Sequence, residues 1–446
     1  MTVVHSCGPG VLRHPPPENM DGQVVLDGIR LGNTARFLSL QTTVLECKRN
    51  RDDPGKGALN LLNHSCVKGK RRGHVLIYNN NTGKKMLSFT VPKTEDYEVW
   101  VARLRYACNW QVDRHYALGR EIGRGGFGSV VRAKSTSGEE VAVKVINVKN
   151  RAPHEMHLIF KEIELLPRIA HPNIVKVHDI FIDEEESTVS IVMELLRGGD
   201  MLDFINASGP LSEEKARTVM RQLFASLHYL HSQGIVHRDV KPENILRRGG
   251  DKFTIALTDF GLAEEVSDGE IVVADRGMKA SGGTVGYMAP EIILNQSHTY
   301  AVDLWACGVV LFILLSGKKP FWGSNEQIIA KTLSVDIDFG REFKFISAEA
   351  VSLVRSLING RPHKRLTART AMFHKWFAPN AHRVMSPSKS PKMLWRKVQL
   401  GTMFLMTFQR RVCEFSSGSG SGSFRLDAPS PMSIIDISMR NTSEAE

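Results

Sequence analysis

Residues 122–131 read "IGRGGFGSVV", and Gly123, Gly125 and Gly128 within them spell G-x-G-x-x-G. Glycines at this spacing let backbone amides approach phosphate oxygens, because no Cβ stands in the way. Two unrelated devices share the spelling: a dinucleotide-binding strand–turn–helix, and a β-hairpin folded over a nucleotide's phosphates. The residues after Gly128 decide between them. A dinucleotide site needs a helix directly after the last glycine, its N-terminus facing the pyrophosphate. Here the chain continues "SVVRAKSTSGEEVAVKVINV". Val130 and Val131, then Val141, Val143 and Val145 in alternation, favour a pleated surface, with Ser137-Gly138 as the turn between. The glycines therefore lie in a hairpin.

The residues downstream supply what such a hairpin needs. Lys144 ends "VAVK" on the neighbouring strand, where its ammonium can reach phosphate. "FKEIELL" puts Glu162 on a helix where it can hold that lysine; the bland alternative is a solvated face, since Glu164 is two residues away. "HRDVKPEN" then gives His237, Arg238, Asp239, Lys241, Glu243 and Asn244, "DFG" gives Asp259, Phe260 and Gly261, and "APE" ends in Glu291. In this order, over roughly residues 115–378, the chain resembles the eukaryotic protein kinases. The resemblance implies a bilobal α+β kinase fold using ATP and Mg2+ to phosphorylate protein hydroxyls.

Phosphoryl transfer passes through a loose transition state, so such a site works by positioning and charge neutralisation. On this resemblance Asn244 and Asp259 are the magnesium ligands, hard oxygens suited to a hard cation. Asp239 orients the substrate hydroxyl and takes its proton, Lys241 neutralises the transferred phosphate, and Thr284 bonds both. The nucleotide site takes in Ile122, Gly123, Gly125, Gly128, Val130, Ala142, Lys144, Met193, Glu194, Leu196, Asp200, Glu243, Asn244 and Asp259. A pseudokinase or a lipid- or protein-binding adaptor is the competing reading, but it would have lost one of Lys144, Asp239, Asn244 or Asp259, and all four are present.

"GTVGYMAPEII", "DLWACGVVLFILLSGKKPF" and "RLTARTAMFHKWF" look like the calcium/calmodulin-dependent kinase group, and lysine at 241 like serine/threonine rather than tyrosine kinases. The resemblance implies a buried helix over 302–315, with Asp303 bonding the catalytic-loop backbone, and an ion pair between Glu291 and Arg365. It also places Asp200 and Glu243 at the mouth of the peptide groove, so that substrates carrying basic residues near the target Ser/Thr are expected. Asp200 is equally suited to the ribose. Two positions depart from the pattern: Arg361 stands where relatives usually carry aspartate, and the usual phosphorylated threonine is Ala280 here, which leaves Arg238 without its customary phosphate unless Ser281 or Asp275 substitutes.

At 446 residues the chain exceeds one core, and its 42% hydrophobic and 24% charged content is that of a soluble globular protein. Six scattered cysteines without C-x-x-C pairs argue against a disulfide framework or zinc site and for a reducing, cytoplasmic setting. The net charge of +11 favours anionic partners, but no nucleic-acid motif accompanies it.

Residues 1–20 read as a disordered lead-in. Residues 21–112 combine short β-type runs ("ARFLSL", "TVLEC", "ALNLL", "HVLIY", "MLSFTV") with an amphipathic helix "TEDYEVWVARLRYAC" capped at Thr94, expected to form a small barrel plugged by that helix. With Trp100 in the helix, this unit resembles a pleckstrin-homology domain. That implies a phosphoinositide site near Arg30 and Arg36, although Asn33 and Thr34 stand where further bases are common; Lys68, Lys70, Arg71 and Arg72 form a second cluster. The catalytic domain is assigned to 116–377 and a regulatory or disordered tail to 378–446. Its stretch 393–412 is basic and amphipathic, with Trp395 and Phe408 thirteen residues apart, and resembles calmodulin targets. Gly401 weakens that helix by about 1 kcal/mol. A monomer, recruited to membrane surfaces by its first domain, is the expected form.

Overall fold

The computed structural model describes residues 12–14, 17, 19–26, 34–41, 43–48, 57–62, 64–125, 128–183, 186–250, 253–266 and 284–378. Arg30 and Asn33, Asp275, Ala280 and Ser281, and the 393–412 segment lie outside the described residues. The described residues all belong to the unit Met1–Leu405.

The first part is a seven-stranded antiparallel sheet. Its strands are β1 (Met20–Leu26), β2 (Thr34–Gln41), β3 (Val44–Lys48), β4 (Gly57–Asn60), β5 (His64–Lys68), β6 (His74–Asn79) and β7 (Lys85–Thr90). They lie in the order β4-β3-β2-β1-β7-β6-β5. Period-two alternation puts Leu38 and Leu40, and likewise Val75 and Ile77, on one buried face. Helix α1 (Thr94–Cys108) covers it with Trp100, Val101, Leu104 and Ala107, and the Trp100 ring meets Phe89 edge-on at 6.2 Å. The expected barrel is an open sheet among the described residues, because no ladder joins β4 to β5. Leu61 donates to the Thr43 carbonyl and His64 to that of Leu61, so the chain turns a corner from one edge strand into the other without pairing them. Thr94 is the first helical residue rather than the cap; Lys93 holds the cap position, with no side-chain bond.

Helix α2 (Val112–His115) leads into a second antiparallel sheet of β8 (Tyr116–Arg124), β9 (Gly128–Ser135), β10 (Glu140–Asn147), β11 (Val177–Asp183) and β12 (Thr188–Glu194). Its order is β11-β12-β10-β9-β8, with α3 (Pro153–Leu165) inserted after β10. The glycines do lie in a hairpin. At Gly128 a Cβ would sit 2.0 Å from the Val145 carbonyl oxygen, so the two paired strands approach this closely only because the residue is glycine.

Register gives this sheet two distinct faces. Val130 pairs with Lys144 and Ala142 with Met193, so all four project to the same side. On the other side Ala133, Val141, Val143 and Val192 bury against Phe181, Tyr116 and Trp110, with Tyr106 and Val112 beside them. The end of α1 and the segment after it therefore seal the back of the second sheet. Arg13 and His14, from the expected lead-in, also dock there: Arg13 pairs with Glu139 at 2.8 Å and His14 Nδ1 lies 2.8 Å from buried Asp179.

The remainder is mostly helical: α4 (Met201–Ser208), α5 (Glu213–Ser232), α6 (Pro290–Ile293), α7 (Ala301–Ser316), α8 (Asn325–Ser334), α9 (Ala348–Leu357) and α10 (Ala368–Ala371). Between α5 and α6 lie two small ladders, β13 (Ile235–Val236) with β16 (Glu264–Glu265) and β14 (Ile245–Arg247) with β15 (Ile255–Leu257). Helix α7 is buried all round, as a central core helix must be, and ends at Gly317 with φ 70°. Among the described residues no helix is long and apolar enough to cross a membrane.

Candidate active site

The β14–β15 hairpin sets the chemistry in place. Ile245 pairs with Leu257, and the Thr258 N–H donates to the Asn244 carbonyl at 2.9 Å, which brings Asn244 and Asp259 to the same end. Asn244 Nδ2 donates to the Asp239 carbonyl and to its Oδ2, each at 2.8 Å, and Lys241 Nζ lies 2.6 Å from the same Oδ2. Asp239, Lys241 and Asn244 thus form one hydrogen-bonded group.

Lys144 reaches across from the second sheet. Its Nζ lies 2.7 and 3.0 Å from the two Glu162 oxygens and 3.2 Å from Asp259 Oδ1. Glu162 projects from the buried face of α3 among Met156, Ile159 and Ile163, so it is a dedicated partner and not a solvated helix face. Burial alone lowers the Lys144 pKa, but the Glu162 and Asp259 carboxylates more than offset it and hold the ammonium above its usual value. Burial likewise opposes the Asp259 charge, yet Lys144 keeps that carboxyl below its ordinary value. Both groups therefore stay charged at neutral pH.

Two non-glycine residues here have left-handed backbone, Arg238 at φ 65° and Asp259 at φ 64°. Strain of this kind persists only where the surroundings over-determine it. Asp303 on the first turn of α7 supplies that constraint for Arg238. Its Oδ1 accepts the Arg238 N–H at 2.8 Å, while Oδ2 accepts the His237 N–H at 2.9 Å and lies 2.8 Å from His231 Nε2.

The other expected residues divide. Val130, Ala142 and Met193 share the Lys144 face, and Gly123 pairs with Val130 at its edge. Ile122 is exposed and Leu196 half-buried. The Glu194 carboxylate is taken up by the Lys176 N–H and by Arg248. Asp200 caps α4, accepting the Asp203 N–H at 2.8 Å. Glu243 Oε2 is buried, with the Tyr287 hydroxyl as its polar neighbour. Thr284 is exposed and makes no hydrogen bond to Asp239 or Lys241 among them. The Glu291–Arg365 pair is bidentate, at 2.6 and 2.8 Å, and buried. Glu264, which pairs with Arg238, was not among the expected residues; its only local signal is an acidic residue three positions after Gly261.

The protein kinase domain model matches residues 116–377. A probable myosin light chain kinase of Dictyostelium discoideum is 38% identical over 272 residues, covering 60% of this chain and 75% of that protein. The calcium/calmodulin-dependent protein kinase type II of Caenorhabditis elegans is 38% identical over 277 residues, 61% of this chain but 37% of its own length. A calcium/calmodulin-dependent serine/threonine-protein kinase of Oryza sativa subsp. japonica is 40% identical over 271 residues, 58% of this chain and 44% of that one. The shared region in each case has about the length of the catalytic unit. With the Lys144–Glu162–Asp259 and Asp239–Lys241–Asn244 groups both assembled, the chain belongs to the protein kinase family and is a serine/threonine protein kinase.

Proposed function

We propose that the protein transfers the γ-phosphate of Mg-ATP to Ser/Thr hydroxyls flanked by basic residues, under control of its N-terminal domain and C-terminal tail. The observation that carries this reading is the convergence of the two charged groups at one end of the β14–β15 hairpin.

Asn244 and Asp259 suit a hard cation shared with phosphate: the amide nitrogen of Asn244 is spent on Asp239, which leaves Oδ1 as an acceptor, and Asp259 adds a carboxylate. Mg2+ typically takes only one or two protein carboxylates and fills its shell with phosphate and water. Bound with ATP, it neutralises phosphate oxygens. Lys144, fixed by Glu162, orients the phosphates from the sheet side. Asp239 receives the hydroxyl proton, and Lys241, bonded to it, stands by the transferred group. Arg238 and His237, tied by their N–H groups to Asp303, keep Asp239 in place.

Basic substrates are supported by Glu243, a carboxylate expected at the mouth of the peptide groove. A guanidinium would meet it with a charge-assisted bond. The N-terminal sheet and helix act in this reading as a pleckstrin-homology-like regulatory domain. Lys70, Arg71 and Arg72 are exposed on the β5–β6 turn to meet phosphoinositide, while Lys68 is engaged by Glu98 at 2.8 Å. The 393–412 stretch binds calmodulin, in keeping with the calmodulin-dependent relatives.

A peptide-array assay on full-length and tail-truncated protein, with and without calcium-calmodulin, tests the whole reading. Transfer to arginine-containing serine peptides, reduced in Glu243→Gln and stimulated by calmodulin only when the tail is present, is expected. Equal transfer to peptides without basic residues would refute the substrate class.

A further inference from the structure

Arg238 directly precedes Asp239, and its Nη1 lies 2.7 Å from Glu264 Oε2. The two side chains are only 10% and 11% exposed, so the pair is largely desolvated. The other oxygen of the same carboxylate, Oε1, lies 3.5 Å from Lys161 Nζ on α3. Lys161 is the neighbour of Glu162, which holds Lys144.

Backbone register fixes this arrangement. Strand β16 pairs with β13 so that Glu264 stands opposite Val236, two residues before Arg238. The Val266 N–H donates to the Gly234 carbonyl at 2.8 Å and extends the contact. The next residue, Glu265, pairs with Arg168 just beyond α3 at 2.7 Å. The strand after Asp259 is therefore tied to the catalytic loop by its backbone and by Glu264, and to the α3 region by both carboxylates.

We propose that Glu264 is a positioning residue that supplies from within the chain the counter-charge a phosphorylated activation segment would otherwise bring to Arg238. A phosphate offers three acceptor oxygens and nearly two charges to such a cluster. Glu264 offers two oxygens and one charge, and each oxygen is used, one toward the catalytic loop and one toward α3. The Arg238 main chain is held separately by Asp303, so the carboxylate acts on the guanidinium. The kinase is consequently competent for transfer without phosphate on the segment between Asp259 and Glu291. This rests on the assignment of Asp239 as catalytic.

The test uses the full chain, expressed with a phosphatase and shown by intact mass to carry no phosphate, on an arginine-containing serine peptide. Unphosphorylated wild type is expected to be active. Glu264→Gln is expected to lower kcat about tenfold or more with the KM for ATP little changed, and Glu264→Asp to recover part of it. Because Glu264→Gln removes a largely buried carboxylate from Arg238 and can unfold the chain, Arg238→Met with Glu264→Gln is measured beside both single variants. The double variant is expected to lose no more kcat than the worse single one. Wild type that is inactive until phosphorylated, a Glu264→Gln enzyme with wild-type kcat, or fully additive losses would each overturn the proposal. If Asp239→Asn also keeps wild-type transfer, the catalytic assignment itself has failed; if it loses transfer while Glu264→Gln does not, only the role of Glu264 has.

Discussion

Replacing Asp303 by asparagine keeps the side-chain volume and removes the feature on which catalytic-loop geometry depends. Asp303 is 1% exposed and accepts from the His237 and Arg238 N–H groups, with His231 Nε2 also at 2.8 Å. Asparagine has one acceptor oxygen, so its NH2 group must face one of the two main-chain donors. A buried donor left unmade costs ~1–3 kcal/mol, and the bonds that remain lose their charge assistance at ~1 kcal/mol each. The sum is ~3–5 kcal/mol. At roughly 2–3 °C per kcal/mol for a domain of this size, Tm falls by about 6–15 °C. The disturbed N–H groups belong to the two residues before Asp239, while Lys144 and the glycine hairpin are on the other lobe. The loss is therefore expected in kcat more than in the KM for ATP. Thermal unfolding and steady-state peptide phosphorylation on the same preparation read both. A Tm within about 2 °C of wild type together with an unchanged kcat would show that Asp303 is not the loop's anchor, against the cost expected for an unmade buried bond.

The packing and charges lead to three more expected outcomes. Trp110→Ala, which opens the sealed back of the second sheet, is expected to cost ~3–5 kcal/mol in chemical denaturation; a loss below ~1 kcal/mol would mean the sheet does not need that cover. Glu291→Gln strands the buried Arg365 and is expected to cost ~3–5 kcal/mol, whereas Glu291→Leu with Arg365→Met costs less than the single change; the opposite order would contradict the pairing argument. Burial lowers the pKa of His171 and of His178 to about 4, against roughly 6.5 in the unfolded chain. Between those values the unfolded chain binds protons that the native one does not, so stability falls as pH drops from about 6.5 to 4. Tm measured across that range is expected to decline, and His171→Asn to flatten the decline; an unchanged slope would refute the assignment.

The Lys144–Glu162–Asp259 and Asp239–Lys241–Asn244 groups were legible because their residues stand in short-range motifs whose chemistry dictates their type. The hairpin was legible from Val141, Val143 and Val145, which alternate, and the buried helix from the apolar run ending at Leu315. Strands β1 and β5 were not. Asp21, Gly22 and Gln23 open the first, and His64 and Ser65 the second, so neither carries a β-type run. Their existence depends on partners far along the chain. The sealing of the second sheet by Trp110 and Tyr106 was invisible for the same reason, since each reads only as an aromatic residue near a helix end. Glu264 is the sharpest case. A carboxylate beside Glu265 looks like a solvated pair until the β13–β16 register sets it against Arg238.

The most direct measurement is transfer of labelled γ-phosphate from ATP to an arginine-containing serine peptide by wild type, Lys144→Met, Asp239→Asn and Asp259→Asn, each checked for a retained melting transition. Transfer by wild type and a loss of at least about a hundredfold in every folded variant is predicted. Variants that transfer phosphate as fast as wild type would contradict the assignment of the site.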